Sequence, residues 1–216
     1  MWGETFLLVS KSGKPEGPYY DPVGKRLTSG IDANLFEEDD GTLYWVWQNG
    51  MFARLKDDLS GLAEEPRKLP QTEYSPEPYA EGVSLFKKDG KYYLGTTIWS
   101  RGPNEKGEYR HNLPERDADV YSYDTMVAVS DSLYGPYGPR YTAICGGGHG
   151  NFFADKNGNW YGCISWNPRN LNNSHKEYAT RPGIVPMEWD GTTIFVKRDR
   201  KDTVNTRPAN KPENIQ

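Results

Sequence analysis

Apolar and polar positions recur along this chain as one ordered unit. Three segments align: IDANLFEEDDGTLYW at 31–45, AEGVSLFKKDGKYYL at 80–94 and GHGNFFADKNGNWYG at 148–162. Each reads as a short apolar strand, a polar turn ending in Gly, and an aromatic strand. The turns carry Asp40-Gly41, Asp89-Gly90 and Asn157-Gly158. Such pairs are strong hairpin signals, because the tight turn needs positive φ. A second motif follows at intervals: ARLKDDLSGL at 53–62, VAVSDSLYGPY at 127–137 and a looser copy, LLVSKSGKPEGPY, at 7–19. These read as outer strands running into turns. RPGIVPMEW at 181–189 and TTIFVKR at 192–198 complete the last unit. A hairpin followed by one or two more strands, repeated, predicts the four-stranded blades of a β-propeller. A β-sandwich also has short strands and turns, but does not explain the same pair of motifs recurring in order.

Blades beginning near 30, 80 and 148, with the outer-strand motif at 7–19 ahead of them, amount to about three and a half, whereas closed propellers run from about four to eight. On this pattern the chain begins within a blade. Residues 1–200 are expected to form one N-terminally incomplete all-β propeller domain. The polar, Pro-containing tail 201–216 is expected to be loose.

Composition narrows the chemistry. Twenty-three Gly and 16 Pro among 216 residues argue against a helical bundle or coiled coil. The net charge of −4 has both signs interspersed, which disfavours nucleic acid as a partner. No apolar run approaches the ~20 residues of a membrane-spanning helix. MWGETFLLVSKSGK does not read as a signal peptide, and two Cys, Cys145 and Cys163, do not identify a compartment. Seven Trp and fifteen Tyr against seven Phe favour side chains with one apolar face and one polar edge.

Counting back nine residues from each turn Gly gives Asp32, Glu81 and His149. Each would open the innermost strand of its blade, so the three would converge at one mouth of the central channel. Taken singly, each has an ordinary structural reading. Asp32 could close a turn, Glu81 could be a solvated loop charge, and His149 could bond only to backbone. The shared offset favours a functional centre. Two carboxylates facing one cavity suit glycoside hydrolysis, in which one donates a proton to the leaving oxygen and another, ionised, activates water or attacks the sugar. A neighbouring carboxylate and burial would both favour the protonated form of the acid.

In that order, GIDANLFEEDDGTLYWVWQNG, EGVSLFKKDGKYYL, SDSLYGPY and GHGNFFADKNGNWY resemble glycoside hydrolase family 43 across roughly residues 5–195. The resemblance implies a five-bladed propeller and inverting hydrolysis of xylosides and arabinosides in plant-type oligo- and polysaccharides. It implies Glu81 as general acid and Asp32 as the carboxylate that tunes the acid and orients the substrate. His149, Arg181 and Trp99 would contact the sugar. No cofactor is required, although a structural calcium could sit in the channel, held by His149 through water. The long polar loop 99–122 is the expected determinant of sugar choice.

The family's general base is an Asp in an Ala-Asp-Pro motif of the first blade. No residue before Asp32 matches it, and Asp21 follows an outer-strand motif. The expectation is therefore that the base and about 80 residues precede this sequence, at roughly 40–50 residues per blade. The chain alone would then lack activity and would self-associate through its open blade edge. The alternative is a noncatalytic carbohydrate-binding propeller. A protein-interaction propeller would not need Asp32 and Glu81 at equal offsets. Enzymes acting on sucrose or fructans carry Arg-Asp-Pro and Glu-Cys motifs, which are absent from this sequence. Members of the family are often secreted or periplasmic, but the sequence does not identify the compartment.

Overall fold

The computed structural model describes residues 3–48, 50–70, 81–101, 121–144, 146–166 and 181–197; the side chains of 99–101, 121–122, 166 and 181 lie outside that description. The 201–216 tail also lies outside it. All regular structure among the described residues is β. Two short antiparallel pairs come first. Strand β1 (Glu4–Thr5) pairs with β4 (Thr28–Ser29), and β2 (Val9–Ser10) pairs with β3 (Tyr19–Tyr20).

Three four-stranded antiparallel sheets follow, each with its strands in sequence order. The first contains β5 (Asn34–Glu37), β6 (Leu43–Trp47), β7 (Met51–Arg54) and β8 (Arg67–Lys68). The second contains β9 (Glu81–Lys88), β10 (Lys91–Arg101), β11 (Tyr121–Ser130) and β12 (Tyr141–Ile144). The third contains β13 (Gly147–Ala154), β14 (Trp160–Trp166), β15 (Arg181–Asp190) and β16 (Thr193–Val196). These are the blades expected from the three repeats. Strands β5 and β13 both pack against β9, so the innermost strands sit side by side.

The period-2 geometry of a strand sends alternate side chains to opposite faces, and the middle blade uses both. Val83, Leu85, Leu94 and Ala128 join Phe36, Val46, Phe52 and Tyr137 in a core against the first blade. Phe86, Tyr93 and Val127 join Phe152, Ile164, Val185 and Ile194 in a core against the third. Hence β9 is buried continuously from Gly82 to Phe86, Ser84 included. A third core gathers Leu7, Trp45, Trp47, Ala53 and Leu55 beside the short N-terminal pairs. Phe6, Leu8, Tyr19 and Tyr20 near the N-terminus and Phe153 and Ile184 in the third blade are exposed.

Candidate active site

The hairpin turns of the innermost strands are of two kinds. In the first blade, Glu38 N–H donates to Thr42 O at 2.9 Å across three turn residues; in the third, Asp155 N–H donates to Asn159 O at 2.8 Å in the same way. In the middle blade Lys88 pairs directly with Lys91, leaving a two-residue Asp89-Gly90 turn. Counted from the last paired residue, the equivalent positions are Asp32, Gly82 and His149. All three have left-handed backbone, with φ of 57°, 57° and 49°. The equal spacing of Glu81 from its turn Gly is therefore one residue out of step. Glu81 sits just before the equivalent position, and the freedom of Gly82 turns the chain there.

The side chains nevertheless converge. One ligand-type atom from each of Asp32, Glu81 and His149 lies within 4.8 Å of the others. Asp32 Oδ2 accepts the Gly82 N–H at 3.1 Å and faces His149 Nε2 at 3.2 Å. His149 N–H donates to Thr97 Oγ1 at 2.6 Å. The three blades are thus tied together at the point where their side chains meet.

Two strand irregularities aim these groups. The β9–β10 register shifts between Gly95 and Thr97, opposite the start of β9. The β13–β14 register shifts between Gly148 and Asn151, on either side of His149. Bulges of this kind redirect a side chain without ending the sheet. The N-terminal end of β13 is also held by Thr125, whose hydroxyl donates to Gly147 O at 2.5 Å, and by buried Asp124, which accepts Gly146 N–H at 2.7 Å.

Sequence reasoning missed Tyr123. Its hydroxyl donates to Glu81 Oε1 at 2.7 Å and also contacts His149 Nδ1. The ring is 5% exposed and fits only because residue 148 lacks a side chain: a Cβ there would lie 2.2 Å from Tyr123 Cδ1. No local motif marks Tyr123. It reaches the site because β11 pairs it with Trp99.

The carboxyl of Asp32 is held below the usual carboxylate range, first by its hydrogen bond with His149 and then by the Gly82 N–H, against the opposing effect of burial. His149 is raised above its ordinary value, first by its bond to Asp32, with the charges of Asp32 and Glu81 adding and burial opposing. The pair is therefore best satisfied as carboxylate and imidazolium.

Calcium takes about six to eight oxygen ligands. Asp32, bonded to His149, together with Glu81 and His149, both engaged by Tyr123, do not make such a cage by direct ligation. Trp99 lies on β10 and Arg181 opens β15 opposite Trp166, but both side chains fall outside the described residues. Asp21 is occupied by its own turn, its Oδ1 accepting the N–H groups of Val23 and Gly24 at 2.8 Å each.

Comparison with known proteins agrees with this arrangement. A beta-D-galactofuranosidase from Aspergillus niger is 29% identical over 194 residues, covering 81% of this chain and 50% of that protein. A xylosidase/arabinosidase from Butyrivibrio fibrisolvens is 29% identical over 182 residues, covering 74% of this chain and 32% of that protein. The chain thus spans half or less of the length of these curated relatives. The GH43 BlXynB protein from Bacillus licheniformis superposes with a TM-score of 0.62 at 26% identity, covering 85% of this chain and 34% of that one. An exo-1,5-alpha-L-arabinanase from a bovine ruminal metagenomic library shares the fold, with a TM-score of 0.65 at 16% identity, covering 92% and 71%. Residues 2–193 match the family described as Glycosyl hydrolases family 43, and the chain belongs to that family.

Proposed function

We propose that this protein acts on O-glycosidic bonds of xylose- and arabinose-containing oligo- or polysaccharides, with Glu81 as the general acid of an inverting hydrolysis. The observation that carries the reading is the meeting of Glu81, Asp32 and His149 from three separate sheets. A protonated Glu81 would donate to the leaving oxygen as the glycosidic bond breaks. Asp32, held ionised by His149 and Gly82, would orient the site and stabilise positive charge developing on the sugar. Asp32 is not assigned as the base, because it lies closer to Glu81 than the about 6.5–9.5 Å that leaves room for an attacking water. No base is assigned among the described residues. Trp99, Arg181 and His149 are the proposed sugar contacts. The xylosidase/arabinosidase named among the relatives supports the choice of sugar class.

A second reading is a sugar-binding propeller without turnover. One assay separates the two. The purified chain is titrated with xylo- and arabino-oligosaccharides, then offered aryl xylosides and arabinosides with and without azide, a small anion that can attack where a base is lacking. Hydrolysis in water alone indicates a complete machinery. Glycosyl azide formation that depends on Glu81 indicates an acid without its base. Binding with neither reaction supports the second reading, and absence of binding overturns both.

The exposed apolar residues Phe6, Leu8, Phe153 and Ile184 also support a proposal of self-association. Sedimentation should show species heavier than the 24.6 kDa monomer; a monomer at all concentrations contradicts this.

A further inference from the structure

We infer that His149, Tyr123 and Glu81 form a proton relay, anchored by Asp32, that reloads Glu81 from His149 through the Tyr123 hydroxyl. The inference rests on Glu81 being the proposed acid and adds the source of its proton. Tyr123 Oη is within hydrogen-bond reach of both Glu81 Oε1, at 2.7 Å, and His149 Nδ1. His149 Nε2 faces Asp32 Oδ2 at 3.2 Å. The four groups therefore make one unbroken line of donors and acceptors drawn from three blades.

A phenol can donate and accept at once, so the line has two arrangements with the same number of protons. In the first, His149 is an imidazolium. Its Nε2–H donates to Asp32, its Nδ1–H donates to Tyr123 Oη, and Tyr123 O–H donates to the ionised Glu81. In the second, the Nδ1 proton has moved to Tyr123 Oη and the former Tyr123 proton has moved to Glu81 Oε1. The N–H and O–H bonds that break are replaced by an O–H on Tyr123 and an O–H on Glu81. Imidazolium and carboxylate become neutral imidazole and carboxylic acid. The Nε2–H remains on Asp32 throughout, as in triads where a third group fixes the tautomer of the histidine.

The surroundings suit this role. Tyr123 is 5% exposed, so its hydroxyl is shielded from bulk water. The His149 side chain is 34% exposed and can take up a proton from solvent. The described groups that face His149 are Asp32 from the segment before β5, Glu81 on β9, the Thr97 hydroxyl on β10 and Tyr123 on β11. Asp124, next to Tyr123 on β11, accepts the Gly146 N–H instead. The backbone at His149 is held at φ 49°, and a Cβ at position 148 would meet the Tyr123 ring, so the contact between Tyr123 and His149 is built in at some conformational expense.

The test needs no substrate, so it stands or falls apart from the glycosidase reading. The full chain is prepared with 15N-labelled histidine and 13C-labelled glutamate. There are three His in the sequence, and His149→Gln assigns the resonance of interest. Ring nitrogens of His149 and the side-chain carboxyl carbon of Glu81 are followed through a pH titration. A shared proton belongs to the pair, so each probe should register both steps. In Tyr123→Phe, which keeps the ring and the separation of the charges, the cross-steps should shrink to what the direct charge interaction between Glu81 and His149 leaves. Cross-steps that survive unchanged in Tyr123→Phe would show coupling through space and overturn the relay, as would their absence from the wild-type chain. Should Tyr123→Phe fail to fold, Glu81→Gln provides the second arm. There His149 must collapse to a single step, and a profile identical to wild type overturns the relay.

Discussion

The two ends of the innermost strands make contrasting use of the same backbone conformation. At the hairpin end, positive φ falls on Gly41, Gly90 and Gly158, with Asp89 the one exception. There the local chemistry and the fold agree. At the axial end, positive φ falls on Asp32, Gly82 and His149. Two of these carry side chains that disfavour it, at a cost of order 1–3 kcal/mol each. The bulges at Gly95/Thr97 and Gly148/Asn151 lie at this end too. Strain concentrates where the side chains must be aimed; where the chain only has to turn it falls on Asp89 alone, beside Gly90.

The contrast can be tested from both ends. The largest effect is expected for Glu81→Gln, measured on any preparation that turns over glycosides as proposed. Turnover of alkyl glycosides should fall by about 10²–10⁴-fold, while aryl glycosides with very acidic leaving groups keep much of their rate. Equal losses on both would remove Glu81 as the acid.

Gly148→Ala comes next. Its Cβ would lie 2.2 Å from Tyr123 Cδ1 and 2.6 Å from Thr97 Cγ2. Denaturant unfolding should show a loss of about 1–3 kcal/mol, together with displacement of Tyr123 from Glu81. Gly158→Ala is the control at the turn end, where a Cβ meets nothing within 4 Å but φ is +81°. It should cost about 1–2 kcal/mol, toward the lower figure, and leave the site intact. If Gly158→Ala proved the more damaging of the two to the site, the contrast would fail.

The smallest effect is that of pH on the Asp32–His149 pair. The folded value of His149 is raised, so its contribution is complete below the unfolded value of about 6.5 and is lost as pH rises through the folded value. The folded value of Asp32 is lowered, so its contribution holds above about 3.9 and is lost as pH falls through the folded value. The pair should therefore stabilise most between about pH 4 and 6.5, by about 0.5–1 kcal/mol after solvent screening. Asp32→Asn should flatten that part of the stability–pH curve; an unchanged curve would mean the pair contributes nothing.

The repeats announced the blades because each carries its own turn chemistry, and Asp40-Gly41, Asp89-Gly90 and Asn157-Gly158 all stand at hairpin ends. The meeting of Asp32, Glu81 and His149 was also legible, although counting from the turn Gly sets Glu81 one residue away from the true equivalent. Phe36, Phe86 and Phe153 precede their turn glycines by five, four and five residues, which records the shorter middle turn. Aligning on Phe rather than Gly brings Asp32, Gly82 and His149 to one position. Tyr123 was not legible. Its place depends on the pairing of β11 with β10 and on the space left by Gly148, both nonlocal facts. Likewise, Tyr137 and Tyr19 sit in similar Gly-Pro-Tyr motifs, each with its hydroxyl on the carbonyl four residues earlier. Tyr137 is fully buried under Pro70 while Tyr19 is exposed, a difference made by the neighbouring sheet and not by the motif.

Because Asp32, Glu81 and His149 come from three different blades, the site also gauges blade alignment. Each blade contributes one side chain, and the apolar seams between blades, with the few hydrogen bonds at the site itself, keep those side chains in register. Sliding one sheet against another by about an ångström would leave every strand and hairpin intact and yet separate the groups, and misplacement on that scale can cost about 100-fold in rate. Mild denaturant, or a cavity cut into a seam at Leu94 or Val127, should thus silence the site while the β-sheet signal is still whole. Chemical competence is the most fragile property of this architecture, because it alone requires all three blades to agree.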